Sequence, residues 1–208
     1  MAKAKPKSFH HGDLKRVLFD VALARLDVHG AEGVTIRAVA RDAGVSHGAP
    51  VNHYADRCAL LTALARAQFE TLLAEIEARL QKGEGADGPR IDAFAEAIVD
   101  FGLRYPHRYR LLWRPDLIDQ REPELLAVMD QIYDRLCAEM SKGLETSGSD
   151  AHFDQDTYAV ALWSLLHGYV DLRLSGMFEP SKDGVSGAPR EEAILQLFRR
   201  ALPGSGVV

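Results

Sequence analysis

The sequence predicts an all-α protein of two domains, and three observations predict it. Apolar residues recur at helical spacing along nearly the whole chain, with no stretch of strand-like alternation and no internal repeat. Helix-opening residues (Thr, Ser, Asp, Pro) and helix-closing glycines punctuate that periodicity. Charge divides the chain: residues 1–60 hold nine Lys and Arg against six Asp and Glu, whereas the remainder holds 16 against 24. A basic head on an acidic body suggests a head that faces a polyanion. The boundary is placed at residue 60, giving domains 1–60 and 61–208.

The elements follow in order. Leu14, Val17, Leu18, Val21, Ala24 and Val28 form the apolar stripe of a helix over about 12–29, which Gly30 closes. Thr35 caps a short helix from Ile36 to Asp42. Ala43-Gly44-Val45 is a turn, with Gly44 in the left-handed conformation that stops a helix. Ser46 caps a second short helix ending near Tyr54. Pro50 disturbs it: either this helix starts a residue or two later, or its first internal bond is absent. Asp56 caps a long helix whose stripe runs through Leu61, Leu64, Ala65, Gln68, Leu72, Ile76 and Leu80.

Gly83 to Gly88 is a glycine-rich break, and Pro89 opens a helix that reaches about Arg104 and ends before Pro106. Arg108 to Trp113 adds one or two turns, and Pro123 starts a helix reaching about Thr146. Ser147 to Asp154 is a polar loop. A long apolar helix then spans Gln155 to Met177, Pro180 to Pro189 is a flexible connection, and an amphipathic helix runs from Arg190 to Leu202. The head Met1–Phe9 and the tail Pro203–Val208 are expected to be mobile.

Composition narrows the function. With 47% apolar and 26% charged residues the chain matches a soluble globular protein able to bury a core. No apolar run is long enough for a membrane span, and no apolar stretch follows a charged start as in a secretory signal, so a cytoplasmic location is expected. Cys58 and Cys137 lie far apart and form no metal or redox pair; both read as packed cysteines. The adjacent His10 and His11 lack a third ligand, so no metal is expected. No glycine-rich phosphate loop, Ser-His-Asp arrangement or HExxH run is present. Arg104, His107, Trp113 and His167 are candidates for a small active site, yet nothing sets a nucleophile beside a base, and the chain reads as a non-enzyme.

The informative constellation surrounds Gly44. A two-turn helix, a three-residue turn containing glycine and a second helix is helix-turn-helix spacing, with the 12–29 helix as the third side. The second helix would project into the major groove of double-stranded DNA. Thr35-Ile36-Arg37-Ala38-Val39-Ala40-Arg41-Asp42-Ala43-Gly44-Val45-Ser46 followed by His53-Tyr54-Ala55-Asp56-Arg57-Cys58-Ala59-Leu60-Leu61 resembles the TetR family of transcription regulators. Tyr105-Pro106-His107-Arg108-Tyr109-Arg110-Leu111-Leu112 and Trp163-Ser164-Leu165-Leu166-His167-Gly168 are similar to the C-terminal domain of the class of that family named for its Trp, His and Gly, as is the opening His10-His11-Gly12-Asp13-Leu14. The resemblance implies a homodimeric repressor, with residues 61–208 as a ligand-binding and dimerisation domain and a small-molecule effector that releases the operator. It implies no bound cofactor.

Expected DNA-binding residues are Thr35, Arg37, Ser46, His47, Ala49, Pro50, Asn52, His53, Tyr54 and Arg57. Asn52 suits bidentate adenine reading, Ala49 and Pro50 offer apolar surface to thymine methyls, and His47 and His53 suit phosphates or bases. Tyr54 is expected to pack between the short helices more than to touch DNA. Arg57 stands where the family resemblance implies a lysine on phosphate, and it keeps the cation. Val51 stands where many members carry an aromatic residue, so a tyrosine-phosphate contact is lost there. Lys3, Lys5 and Lys7 form either a DNA-following arm or a solubilising head.

In the body, Phe94, Ile98, Phe101, Trp113, Tyr133, Trp163 and His167 supply the aromatic and apolar surface of an expected effector pocket. On the 155–177 helix, Ala161, Ser164, Gly168, Leu172 and Ser175 share one face within roughly 60°. Trp163, His167, Val170, Leu174 and Met177 share the opposite face. The small face is assigned to a second copy of the chain across a two-fold axis, completed by Ile194, Leu197, Phe198 and Ala201 of the last helix.

Overall fold

The computed structural model describes residues 11–82, 90–147, 154–178 and 180–201. The side chains of 11–13, 143–147 and 198–201 are not described. Lys3, Lys5, Lys7, His10, the 83–89 break with Pro89, most of the 147–154 loop, the 203–208 tail and the Phe198 and Ala201 side chains therefore lie outside the described residues. Among the described residues the chain is helical, with one isolated antiparallel bridge, Lys182 to Pro189. None of the described helices is long and apolar enough to cross a membrane.

The first helix, α1 (His11–His29), closes at Gly30 (φ +67°), which places a donor on the Leu26 carbonyl at 2.9 Å. Helix α2 (Ile36–Asp42) starts where the Thr35 hydroxyl accepts the Ala38 N–H at 3.2 Å, and it stops at Gly44 (φ +70°). The left-handed glycine turns the chain so that the Val45 N–H reaches back to the Ala40 carbonyl at 3.0 Å. Helix α3 (Arg57–Gln81) is capped by Asp56, whose carboxylate accepts the Ala59 N–H at 2.8 Å.

Helix α4 (Ile91–Arg104) is followed at once by α5 (Pro106–Leu112), with the proline in the first turn, where its missing donor leaves nothing unsatisfied. Next come α6 (Pro123–Ser147), α7 (Gln155–Leu174) and α8 (Arg190–Ala201). Asp154 caps α7 through the Thr157 N–H at 2.7 Å. Helix α7 ends three residues earlier than expected from sequence. Gly176 (φ +80°) breaks it, and the Met177 N–H returns to the Leu172 carbonyl at 3.0 Å. Met177 therefore leaves the bulky helix face and is exposed. The 180–189 connection is ordered by its own bonds: Asp183 N–H to Ala188 O at 2.8 Å and Arg190 N–H to Ser181 O at 2.9 Å.

The chain forms two compact units. One comprises Met1–Phe69 and Tyr105–Ala127; the other comprises Glu70–Arg104 and Val128–Val208. The division from sequence at residue 60 left 105–127 with the body, whereas this segment packs with the head. Three contacts within the first unit hold it there. Arg108 makes a bidentate pair with Asp27 at 2.6 Å, the Asp119 N–H donates to the buried Thr62 hydroxyl at 2.9 Å, and Arg114 reaches Glu32 at 3.4 Å. The core of this unit includes Leu18, Ala22, Leu26, Val39, Leu60, Leu64 and Tyr109. The second unit centres on α4, whose Ile91, Phe94, Ile98 and Phe101 are buried, and α4 packs on both α7 and α8.

Candidate nucleic-acid interface and effector site

The segment expected to be the second helix of the helix-turn-helix is not an α-helix. Residues 46–49 form turns and Pro50–Asn52 a single 3₁₀ turn. Pro50 has no N–H for the Ser46 carbonyl, so that carbonyl takes the Ala49 N–H at 3.0 Å, one residue short of the α pattern. The Pro50 carbonyl in turn accepts from both His53 and Tyr54 at 2.9 Å. Ser46 does not act as the expected side-chain cap; its carbonyl does the bonding and its hydroxyl is exposed.

Around this turn Thr35, Arg37, Ser46, His47, Val51 and Asn52 are exposed, and Ala49 and His53 are half-buried. Arg37 projects from α2 with no hydrogen-bond or ion partner among the described residues. Its neighbour Arg41 is held at 2.9 Å by Asp42, which Arg25 also grips. Hydrogen bonds from Arg41 and then Arg25 hold the Asp42 carboxyl below its ordinary range.

Pro50 and Arg57 sit differently from the expected DNA contacts, whereas Tyr54 is buried, in keeping with its expected packing role. Pro50 is buried and presents no apolar face to a groove; the apolar surface there belongs to Val51, 52% exposed, and Ala49. Tyr54 is 5% exposed, with its hydroxyl 3.5 Å from the Lys15 carbonyl, and burial pushes its phenol pKa up. Arg57 turns its guanidinium onto the chain: Nε donates to Val34 O and Nη2 to Ala31 O, both at 2.8 Å. Two strong carbonyl acceptors outcompete open solvent for a half-buried guanidinium, and this ties the 31–34 turn to the start of α3. A cleft of about 370 Å³ opens in the same unit among Lys15, His53, Tyr54, Cys58, Thr62 and Asp119. Sequence reasoning did not find it, because residues far apart in the chain line it.

Of the seven expected effector-pocket residues, six lie in the second unit and Trp113 in the first. Phe94, Ile98 and Phe101 are buried on α4, and Trp163 of α7, half-buried, lies with its ring centroid 6.2 Å from that of Phe94. His167, one turn further along α7, is half-buried, and burial lowers its pKa against the pull of Asp171. Tyr133 is 39% exposed and donates to the Asp156 carboxylate at 3.3 Å. Trp113 belongs to the first unit, edge-on to Phe69 and Tyr109 with centroids 5.8 and 5.9 Å away.

Of the expected assembly residues with described side chains, Ala161, Ser164 and Leu172 of α7 and Leu197 of α8 are exposed, whereas Gly168 and Ile194 are half-buried. Leu165, which shares the phase of the small α7 face, and Val160 beside it are also exposed and were not among the expected residues. At Gly168 an added Cβ would meet nothing within 4 Å.

Comparison with known proteins agrees with this architecture. No curated protein matches the sequence. The chain resembles a protein of unknown function from Rhodococcus sp. RHA1 at 30% identity and TM-score 0.75, covering 95% of this chain and 99% of that one. It has the fold of a TetR-family bacterial regulatory protein from Rhodococcus RHA1 (22% identity, TM-score 0.62, 93% and 97% covered). It also shares the fold of the ketosteroid transcriptional regulator KstR2 of Mycobacterium tuberculosis (16% identity, TM-score 0.59, 97% of each chain). Residues 91–197, just over half of the chain, match the model of the tetracyclin repressor-like C-terminal domain. With that domain behind a glycine-turned pair of short elements at its head, the chain belongs to the TetR family of transcriptional regulators.

Proposed function

We propose that the protein is a ligand-responsive repressor that binds a palindromic DNA operator as a homodimer in the cytoplasm. The observation that carries this is the exposed face of the head. Arg37, His47 and Asn52 project around the Gly44 turn, on an N-terminal stretch whose charge is opposite to that of the rest of the chain. Arg37 and Thr35 suit phosphates, whereas Asn52, with Ala49 and Val51 beside it, suits base edges and thymine methyls. The exposed face of α7 with Leu197 supports a second copy as partner, and two copies require two half-sites in mirrored orientation. Phe94 and Trp163 support an apolar or aromatic effector held in the second unit; the likeness to a ketosteroid regulator points the same way. The effector acts by binding the DNA-free conformation more tightly than the bound one.

The test is selection of duplexes from a random pool, followed by titration at rising salt. Enrichment of a palindrome, with affinity falling linearly on a log–log salt plot, is expected. Equal, weak binding to every duplex removes the proposal. For the effector, a compound that binds tightly yet leaves DNA affinity unchanged is not the inducer. If only highly charged metabolites release the DNA, the apolar site is wrong.

A further inference from the structure

The cleft of about 370 Å³ in the first unit has the size of a small-molecule site, for which roughly 300–1,000 Å³ is usual. Three elements build it. Helix α3 supplies a floor of Ala59, Thr62 and Ala63, whose spacing puts small side chains on one face and leaves the space open. Helix α1 supplies Lys15, and the stretch before α6 supplies Asp119 and Glu122. Charges of both signs line one hollow, and they do not cancel. Among the described residues Lys15, Asp119 and Glu122 make no ion pair. The Lys15 ammonium lies 6.0 Å from the ring centroid of Tyr54, which is also in the lining. Each carboxylate is fixed by a backbone donor, Asp119 by the Arg121 N–H at 3.0 Å and Glu122 by the Leu125 N–H at 2.6 Å, and each keeps an oxygen to spare. A lone charge on a convex surface needs only water. An ammonium and two carboxylates around an apolar floor in a concave space form a pattern that a ligand of both charges completes.

We infer that this cleft is a second ligand site, for a compact zwitterion such as a free amino acid. The ligand carboxylate pairs with Lys15, its ammonium with Asp119 and Glu122, and its carbon chain lies over Ala59 and Ala63. The site belongs to the first unit, whereas the apolar effector is proposed for the second. It adjoins the 3₁₀ turn of the head, because His53 and Tyr54 line it and both donate their N–H groups to the Pro50 carbonyl.

The experiment is calorimetric titration of the full chain with the L-amino acids of uncharged side chain and with 4-aminobutyrate. Saturable binding of at least one of them below about 10 mM is expected. The matching amine without the carboxylate, and the matching acid without the amine, should each bind about tenfold more weakly or worse, as for the loss of a charge-assisted bond. Lys15→Met keeps the aliphatic stem, and Glu122→Gln keeps an oxygen for the Leu125 N–H. Each should weaken binding by about tenfold with Tm unchanged. If Glu122→Gln lowers Tm, Lys15→Met decides alone, since that side chain is exposed. Absence of saturable binding by any of these compounds overturns the inference. So does an amine or an acid that binds as well as the zwitterion, and so does binding that Lys15→Met leaves unchanged, which would place the ligand elsewhere. No duplex enters the experiment, so its failure and that of the DNA-binding reading are distinguishable.

Discussion

Arg57 shows how a residue can be placed correctly by sequence while the partners it has within the chain go unread. Its position at the first turn of α3 was legible from the Asp56 cap, but its partners, the carbonyls of Ala31 and Val34, lie more than twenty residues upstream and leave no local signature. Arg57→Ala is therefore expected to lower stability by about 1–3 kcal/mol, the range for losing charge-assisted bonds to part-buried carbonyls, as measured by urea denaturation. If stability is unchanged and only DNA affinity falls, the guanidinium serves phosphate after all. Asn52 is exposed and clear of such partners, which leaves its side chain open for the proposed base contact. Asn52→Ala should relax preference at one base position by about 1–3 kcal/mol, and an unchanged selected motif would end that assignment. His167 carries a pH dependence. Burial lowers its folded pKa below 6.5, so the neutral ring is the form the fold prefers. The unfolded chain takes up the proton first as pH drops below 6.5; the contribution present at neutral pH is lost on acidification through the folded value. Relative to His167→Gln, wild type should lose stability between pH 7.5 and 5 in parallel denaturation curves. Curves that stay parallel across that range would show that the ring titrates freely.

Helix boundaries were legible wherever a cap or breaker with a local mechanism marks them. Thr35, Asp56, Gly30 and Gly44 each act as read, because side-chain capping and left-handed glycine involve only near neighbours. The segment after Ser46 was read as a helix because a serine followed by apolar residues matches the start signal. Pro50 sits where its missing donor diverts the Ser46 carbonyl to Ala49, so the turn tightens and the cap bond has no helix to serve. The contrast predicts unequal losses from similar mutations. Thr35→Ala should lower stability by about 1 kcal/mol, the usual loss for removing an N-cap, whereas Ser46→Ala should change it by no more than about 0.5 kcal/mol, as for an ordinary surface substitution. Thermal unfolding of the two variants compares them directly. Equal losses would mean that the Ser46 hydroxyl caps after all.

At the scale of the whole molecule, the helical class and the amphipathic helices followed from periodicity, while the grouping of helices did not. Segment 105–127 joins the head through Arg108 on Asp27, a pairing across 81 residues, and Trp113 follows it there, edge-on to Phe69. Helical phase, by contrast, was legible: the face of small residues on α7 was identified by its angles alone, and Ala161, Ser164, Leu172 and Ser175 on it are exposed, with Gly168 half-buried. Gly168 is its centre, and it makes the test of a dimer clean. Since a Cβ there meets nothing and φ is ordinary, an arginine at this position has room within one chain, and replacing glycine inside a helix improves propensity by up to about 1 kcal/mol. The same arginine drives a long cation between two helices that approach closely, where burying an unpaired charge exceeds what a small interface returns. Gly168→Arg is therefore expected to be folded, at least as stable within the protomer, and monomeric in sedimentation equilibrium. Trp163→Ala removes a half-buried ring beside Phe94 and should remain dimeric while losing about 3 kcal/mol, the low end for an aromatic truncation. A Gly168→Arg protein that still sediments as a dimer would place the interface on another surface, and with it the geometry that fixes the spacing of the two half-sites.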